Sequence, residues 1–293
     1  MELCGSSVDM LLDGSGLAPV FREAAHFDSV VELPPGSRHT DLHPFVLRNQ
    51  PVVLRGALLD WLPVERWGED EYLRSAGAGR RVGVRCAEEG TSTFGDVRRR
   101  GVYNVAEVEW CEFLDSLDAA EQPLSTPQYY AAQLRLKSVL PTLYRDTHPP
   151  PSLLAALGVP WRSAPSAYIG CSSRTPIHFD LLENLFCMVR GRKRIQIWHP
   201  AHGKTLCPGG GGELLFSNIN LTTMDEAMHP DFVRASQLAH VVELEAGDAL
   251  YLPCGWWHAI SSTQGSKCIS ISYWTQPPDM KGSSIVSPHN LQL

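Results

Sequence analysis

Two histidines and one aspartate have the residue types and the spacing of a metal site. His178 and Asp180 are separated by one residue, in the run T-P-I-H-F-D. If this run is a β-strand, both side chains point to the same face, because successive side chains alternate. Another histidine, His258, ends the run P-C-G-W-W-H. Two imidazoles and one carboxylate on one face leave coordination positions open, an arrangement that suits non-haem Fe(II).

Each of these signals is weak when it is taken alone. The chain has 11 histidines and 32 acidic residues, so a chance His-x-Asp match is easy. The competing interpretation of His178 and Asp180 is a bonded pair on a surface strand. The competing interpretation of His258 is a packed and satisfied core histidine. A metal site therefore requires a fold that brings the three side chains together.

The second half of the chain is predicted to supply β-strands that could position these residues. Eight short runs, separated by Gly, Pro and Asn, read as strands: residues 167–171, 176–180, 185–189, 194–198, 241–244, 249–252, 258–262 and 268–274. Short strands without long intervening helices are typical of an antiparallel barrel or jelly roll. In the first half, residues 51–55 predict a strand, and residues 64–74, 107–117 and 134–144 predict helices.

Composition and charge argue against several classes of protein. Among 293 residues, 43% are hydrophobic and 19% are charged, the balance of a globular protein. The net charge of −7 disfavours non-specific nucleic-acid binding, and the basic cluster at 98–100 is predicted to be a solvated loop. Eight cysteines without a C-x-x-C pair disfavour zinc and predict reduced thiols. No apolar run approaches the roughly 20 residues that span a bilayer, so we predict no membrane partner and a cytoplasmic or nuclear location.

Three motifs together resemble a known family. They are T-P-I-H-F-D, N-L-F-C-M-V-R-G-R-K-R and G-D-A-L-Y-L-P-C-G-W-W-H. Their order and spacing, from about residue 166 to 275, are similar to those of JmjC-domain, cupin-type 2-oxoglutarate oxygenases, in particular the small JmjC-only hydroxylases. The resemblance implies a mainly β fold with flanking helices: a double-stranded β-helix, or jelly roll, with N-terminal helices packed outside the barrel.

We divide the chain accordingly into four parts. Residues 1–18 are predicted to be a flexible tail, and 19–150 an N-terminal α+β part that packs on the barrel. Residues 151–275 are predicted to form the catalytic core, and 276–293 a short C-terminal tail. Because the segment after the barrel is short and rich in Pro, Ser and Gly, a monomer is favoured over a homodimer.

The resemblance implies a role for each matching residue. It assigns the iron to three residues: His178, Asp180 and His258. It assigns the distal carboxylate of the co-substrate 2-oxoglutarate to three more: Lys193, Thr175 and Tyr130, with Tyr129 as the alternative to Tyr130. It assigns the remaining pocket wall to four: Asn184, Phe186, Ser272 and Trp274. Some relatives have Asn at the position of Ser272, which leaves the role of that serine open.

Lys193 also stands out without the resemblance. It begins a predicted strand on the same face as Ile195 and Ile197. A lysine on an apolar face is costly unless an anion meets it, and a dicarboxylate would supply that anion. The competing interpretation is a strand-end lysine whose ammonium group reaches water.

The activity that the resemblance implies is that of a dioxygenase that uses Fe(II), 2-oxoglutarate and O2. A protein side chain is the favoured substrate. The alternatives within the superfamily are hydroxylation of an RNA base and demethylation of histone Nε-methyl-lysine. The acidic net charge disfavours RNA, and the lack of a zinc site or reader domain disfavours demethylation. The alternative from another class is a cupin-like binding or scaffold protein without turnover, against which the intact triad and Lys193 both argue.

Overall fold

A computed structural model describes residues 29–86, 104–119, 129–148, 150–157, 164–206, 208–210, 213–219, 221, 227–263 and 266–275. The predicted tails, residues 1–18 and 276–293, and the basic cluster at 98–100 lie outside these residues. Strands predominate among the described residues, and short helices flank these strands.

The described strands are β1 Val31–Leu33, β2 Val52–Leu54, β3 Arg81–Cys86, β4 Asn104–Glu109, β5 Tyr129–Arg135, β6 Ser166–Cys171, β7 Glu183–Arg190, β8 Arg192–Trp198, β9 Pro208–Gly210, β10 Glu213–Ser217, β11 His240–Glu245, β12 Ala249–Leu252, β13 Trp257–Ser262 and β14 Lys267–Thr275. The helices are α1 His39–Leu47, α2 Leu62–Arg66, α3 Asp70–Gly77, α4 Trp110–Ala119, α5 Leu136–Val139, α6 Pro141–Asp146 and α7 Pro230–Ser236. Two 3-10 helices span Ser152–Leu157 and Pro200–Leu206. None of the described helices has the length and hydropathy that a membrane crossing requires.

Two facing sheets form the barrel. The large sheet has nine strands in the order β1-β2-β12-β7-β14-β6-β5-β3-β4, and the small sheet has three in the order β11-β8-β13. The barrel interior between them is apolar, with Phe186 and Met188 of β7 packed in one cluster with Ile195 and Ile197 of β8. This arrangement confirms the predicted double-stranded β-helix.

The run 176–180, which we predicted to be a strand, is not a continuous one. It joins β13 and β10 through isolated bridges, from His178 to His258 and from His178 to Phe216, and Arg174 bridges to Ser261. Pro176 has no N–H to donate to a ladder, so regular pairing is interrupted there. The segment nevertheless lies along the edge of the small sheet, with His178 and Asp180 directed into the barrel mouth and Ile177 and Phe179 packed in a separate apolar cluster.

The N-terminal helices cover the outer face of the large sheet. Strand β7 is buried on both faces, because Leu185 and Val189 pack under the helices while the alternate residues face the barrel interior. An ion-pair cluster joins the two layers: Lys267 at the start of β14 lies 2.7 Å from Asp70 of α3 and 2.5 Å from Asp118 of α4. The large sheet itself runs on from barrel strands into β5, β3 and β4.

The predicted helices are present, with different bounds. The helix predicted at 64–74 is two helices, α2 and α3, because the chain turns at Trp67, Gly68 and Glu69 between them. The helix predicted at 107–117 begins at Trp110, since the preceding residues extend β4. The helix predicted at 134–144 is also two helices, and β5 continues to Arg135.

The contact between α3 and α4 depends on a glycine. Gly77 ends α3, and a Cβ atom there would lie 2.3 Å from Cδ1 of the buried Trp110. We expect Gly77→Ala to lower the free energy of unfolding by about 1–3 kcal/mol through overpacking. Gly83→Ala is the matched control, because a Cβ there has nothing within 4 Å and alanine in a strand is more stable than glycine by about 0.5–1 kcal/mol. Urea denaturation measures both, and equal effects would contradict the close packing at Gly77.

Candidate active site

His178 and His258 are joined by their backbones. The His178 N–H donates to the His258 carbonyl at 3.0 Å, and the His258 N–H donates to the His178 carbonyl at 2.7 Å. This reciprocal pair places both side chains on the same face of the sheet, and their ring centroids lie 4.2 Å apart. The Gly255 N–H donates to the carbonyl of Asp180 at 2.9 Å, which holds the third residue beside the first two.

Hydrogen bonds from the inner ring nitrogens define the tautomer of each histidine. His178 Nδ1 lies 2.9 Å from the Pro176 carbonyl, and His258 Nδ1 lies 3.0 Å from the Trp256 carbonyl. A carbonyl oxygen can only accept, so each Nδ1 must carry the proton, and each Nε2 keeps its lone pair. His258 Nε2 lies 3.8 Å from Asp180 Oδ2.

The three side chains can therefore offer two imidazole lone pairs and one carboxylate oxygen to one ion. The ligand atoms lie within 4.8 Å of one another. Burial, helped by the neighbouring His178, holds the pKa of His258 well below its usual range, which favours the neutral form that a metal needs. Burial raises the pKa of the Asp180 carboxyl, so a cation at this point would stabilise its charged form. The donor set fits a divalent metal with an open face.

Lys193 lies in the wall of the same cavity and is a buried cation. Its side chain is 3% exposed, and Nζ donates to Ser270 Oγ at 2.8 Å. Nζ lies 5.3 Å and 5.7 Å from the ring centroids of Phe186 and Tyr168. Among the described residues no carboxylate lies within 4.0 Å of Nζ, and burial lowers its pKa. This burial goes against the competing interpretation, in which the ammonium group of a strand-end lysine reaches water, and the site suits an incoming anion.

The structure brings all the predicted site residues to one cavity. The three candidate metal ligands and Lys193 share its wall with Thr175, Tyr130, Asn184, Phe186, Ser272 and Trp274. The alternation of β5 decides between the two tyrosines: Tyr130 faces the cavity, and Tyr129 packs against the core beneath the helices. Asn184 is 4% exposed and its Oδ1 has no hydrogen-bond partner among the described residues. This orphaned polar atom fits a cavity that receives a polar ligand.

Comparisons with known proteins agree with this geometry. A family model described as a cupin-like domain matches residues 39–280, most of the chain. The chain belongs to the cupin-like JmjC family. This confirms the predicted family, and JmjC proteins are a superfamily of Fe(II)- and 2-oxoglutarate-dependent oxygenases.

Three relatives illustrate the range of JmjC proteins that resemble this chain. Jumonji C domain-containing protein 5 of Drosophila melanogaster is 26% identical over 77% of the chain and 54% of its own length. Lysine-specific demethylase JMJ31 of Arabidopsis thaliana is 23% identical over 86% of the chain and 48% of its own length. The human bifunctional peptidase and (3S)-lysyl hydroxylase JMJD7 is 25% identical over 80% of the chain and 81% of its own length. The chain thus spans about half the length of the first two relatives and most of the third.

The JmjC cavity is also lined by residues that sequence reasoning did not assign to the site, among them the polar or aromatic residues Arg85, Gln133, Tyr168 and Phe216. Tyr168 faces inward on β6, and the alternation of that strand could have indicated this. Arg85 faces inward because β3 pairs with β5, a pairing between distant parts of the chain. Gln133 has φ +52° and lies in an irregular stretch of β5 between Ala131 and Leu134, which period-two alternation does not foresee.

The end of α1 supports the second histidine ligand from a distance. Asn49 has φ +51°, its N–H donates to the Val46 carbonyl, and the Gln50 N–H donates to the Phe45 carbonyl. These bonds form a Schellman motif, for which asparagine is a suitable left-handed residue. The Asn49 carbonyl accepts a hydrogen bond from Trp256 Nε1 at 2.9 Å, and the Trp256 carbonyl in turn accepts from His258 Nδ1.

Trp256→Phe tests this support. It removes the hydrogen bond from the indole to the Asn49 carbonyl, which we expect to cost about 0.5–1.5 kcal/mol of unfolding free energy. Trp257→Phe is the matched control, since the Trp257 indole has no hydrogen-bond partner among the described residues, and both variants lose similar ring volume. Chemical denaturation of both proteins gives the comparison. Equal losses for the two variants would show that the bond to Asn49 contributes little.

Proposed function

We propose that this protein is an Fe(II)- and 2-oxoglutarate-dependent dioxygenase that hydroxylates a protein side chain. The observation that carries the proposal is the position of Lys193: a buried cation, without a carboxylate partner among the described residues, in the wall of the cavity that holds the candidate metal triad. A metal-binding barrel alone does not need that charge. A dicarboxylate co-substrate that reached from the metal to Lys193 would need that positive charge as the partner of its distal carboxylate.

The residues divide the work as follows. His178, Asp180 and His258 would hold Fe(II) on one side and leave the other side open. Lys193, assisted by the hydroxyls of Thr175 and Tyr130, would bind the distal carboxylate of 2-oxoglutarate. Asn184 and Phe186, with Ser272 and Trp274, would wall the pocket and exclude water. Fe(II) supplies the activation of O2 that is coupled to oxidative decarboxylation of 2-oxoglutarate.

The overall reaction balances without a further reductant. A substrate C–H bond becomes C–OH with one oxygen atom of O2, and 2-oxoglutarate becomes succinate and CO2 with the other oxygen atom. Support for a protein substrate comes from the relatives, which are named as a lysyl hydroxylase and a lysine-specific demethylase. A histone demethylase is the alternative within the same chemistry, and an RNA-base hydroxylase is disfavoured by the net charge of −7.

The deciding experiment separates an oxygenase from an inert cupin. Purified protein is incubated with Fe(II), O2 and 2-oxoglutarate in the presence of cell-derived peptides, and succinate and peptide masses are measured together. We expect succinate formation and a 2-oxoglutarate-dependent gain of one oxygen on peptides. A loss of methyl groups would favour demethylation. If the protein forms no succinate, and if the metal-loaded protein binds no 2-oxoglutarate, the chain is a cupin-like scaffold without turnover.

A further inference from the structure

Strand β14 runs between the candidate metal site and the barrel interior, and its inward-facing residues mark the depth of the cavity. Near the metal site, the Trp274 indole donates a hydrogen bond to the Asp180 carboxylate. Ser270 faces the same side of the strand, two inward-facing positions before Trp274. At roughly 3.3 Å per residue, Ser270 lies about 13 Å deeper along β14. The cavity therefore has a metal end beside Trp274 and an inner end near Ser270.

Ser270 holds the ammonium group of Lys193 at this inner end. Lys193 Nζ donates to Ser270 Oγ at 2.8 Å, and it lies 5.3 Å and 5.7 Å from the ring centroids of Phe186 and Tyr168. The face of an aromatic ring attracts a cation. One hydroxyl and two aromatic rings thus keep the charge in place, and Ser270 itself is completely buried.

Ser270 lies behind Lys193, outside the cavity wall. Ser272, the next inward-facing residue of β14, lines the cavity together with Lys193, whereas Ser270 does not line it. An ammonium group has three N–H donors, and Ser270 is its one hydrogen-bond partner among the residues that the structure describes. Two donors therefore remain for a carboxylate that enters the cavity. Ser270 would act on such a ligand through Lys193, without touching it.

An ammonium group that is fixed in place also fixes the length of the ligand that it can bind. Lysine has a flexible four-carbon stem, so without Ser270 its charge can meet carboxylates at several depths. In the proposed function, the metal holds the 2-oxo acid end of the co-substrate, and Lys193 meets the distal carboxylate. A ligand that is one methylene too long or too short then satisfies only one of these two ends.

We propose, building on the function proposed above, that Ser270 is a positioning residue for Lys193 and thereby selects a co-substrate with the chain length of 2-oxoglutarate. Loss of the hydroxyl leaves Lys193 in the binding-competent position for only part of the time, which weakens the apparent affinity by that fraction. It also allows the charge to follow a longer or shorter ligand. The preference for 2-oxoglutarate over its homologues should therefore decrease.

A series of 2-oxo dicarboxylates tests the proposal. Calorimetry on the Mn(II)-loaded protein measures the affinity for oxaloacetate, 2-oxoglutarate and 2-oxoadipate, which differ by one methylene each. Wild type should prefer 2-oxoglutarate over either homologue by about 10- to 200-fold, the usual discrimination of one methylene by a fitted pocket. Ser270→Ala should reduce this preference about 10-fold, the effect of one lost hydrogen bond to a charged group, with unchanged Mn(II) affinity. Ser270→Thr keeps the hydroxyl and should retain the preference.

Ser262→Ala is the matched control. Ser262 directly opposes Lys193 in the pairing of β13 with β8, and its buried Oγ accepts a hydrogen bond from the Ser173 N–H at 2.7 Å. Its loss should leave the preference for 2-oxoglutarate unchanged. The proposal is overturned by an unchanged preference in Ser270→Ala, by an equal loss in Ser262→Ala, or by a wild type that binds the three acids equally. If wild type binds none of the three acids, the proposed function fails instead.

Discussion

Asp180→Ala should abolish 2-oxoglutarate-dependent turnover while leaving the protein folded. Asp180 is the only anionic member of the triad, and its Oδ2 lies 3.8 Å from His258 Nε2. Loss of a hydrogen-bond partner of a metal ligand typically weakens metal binding about 10- to 100-fold, so loss of the ligand itself should cost about 100-fold or more. Mn(II) titration and succinate formation measure the two effects.

The fold should survive this substitution for an electrostatic reason. Burial raises the pKa of the Asp180 carboxyl, which means that its charged form is disfavoured in the metal-free protein. Alanine removes this cost, so the thermal midpoint of the metal-free variant should not fall. Asp231→Ala is the control: Asp231 is exposed on α7 and, among the residues that the structure describes, forms an ion pair with exposed Arg234, so its loss should change neither metal binding nor turnover. Full activity of Asp180→Ala would disprove the triad.

The parts of the site that were predictable are those that local sequence encodes. His178 and Asp180 follow from a two-residue spacing, and Lys193 follows from the apolar face that it shares with Ile195 and Ile197. In the structure Lys193 is buried because its strand face is apolar, which is the same feature that made it stand out in the sequence. The prediction of a continuous strand around His178 and Asp180 was wrong. The bridge from His178 to His258 nevertheless keeps both side chains directed into the barrel.

The parts that were not predictable depend on non-local pairing and irregular backbone. Arg85 enters the site only because β3 pairs with β5, and no local pattern specifies that register. Gln133 enters through its positive φ, which breaks the alternation of β5. The choice between Tyr129 and Tyr130 likewise depended on the register of β5 against β3. The split of residues 64–74 into two helices depended on a turn at Gly68, which a period-based prediction passes over.

Lys193→Ala should separate binding of the co-substrate from binding of the metal. If Lys193 meets the distal carboxylate of 2-oxoglutarate inside the barrel, water screens the pair little. Removing one partner of a buried ion pair typically costs about 3–5 kcal/mol, which corresponds to a loss of affinity on the order of hundreds-fold or more. Mn(II) affinity should barely change, because Lys193 is not a ligand. Calorimetry with Mn(II) and then with 2-oxoglutarate measures both, and Lys193→Arg should retain part of the affinity, since the charge is kept.

Two matched variants decide whether the effect belongs to the buried charge. Arg194→Ala removes a neighbouring cation on the exposed outer face of β8 and should leave 2-oxoglutarate affinity unchanged. Lys193→Met keeps the length of the side chain without its charge, and should lose 2-oxoglutarate binding as alanine does. Equal affinities in wild type and Lys193→Ala would remove the main support for a 2-oxoglutarate site and leave only a metal-binding barrel.

The same lysine predicts how the stability of the metal-free protein depends on pH. Burial lowers the pKa of Lys193 below its ordinary value of 10.5, so the folded state gives up this proton at a lower pH than the unfolded state. Between the two pKa values the unfolded state binds more protons, and stability therefore rises with pH in that window. Below the folded pKa the full cost of the buried charge remains, so Lys193→Met should be more stable than wild type there. Urea denaturation across alkaline pH should show the advantage of Lys193→Met shrinking as pH approaches 10.5, and a constant difference would mean that Lys193 titrates as a solvated lysine.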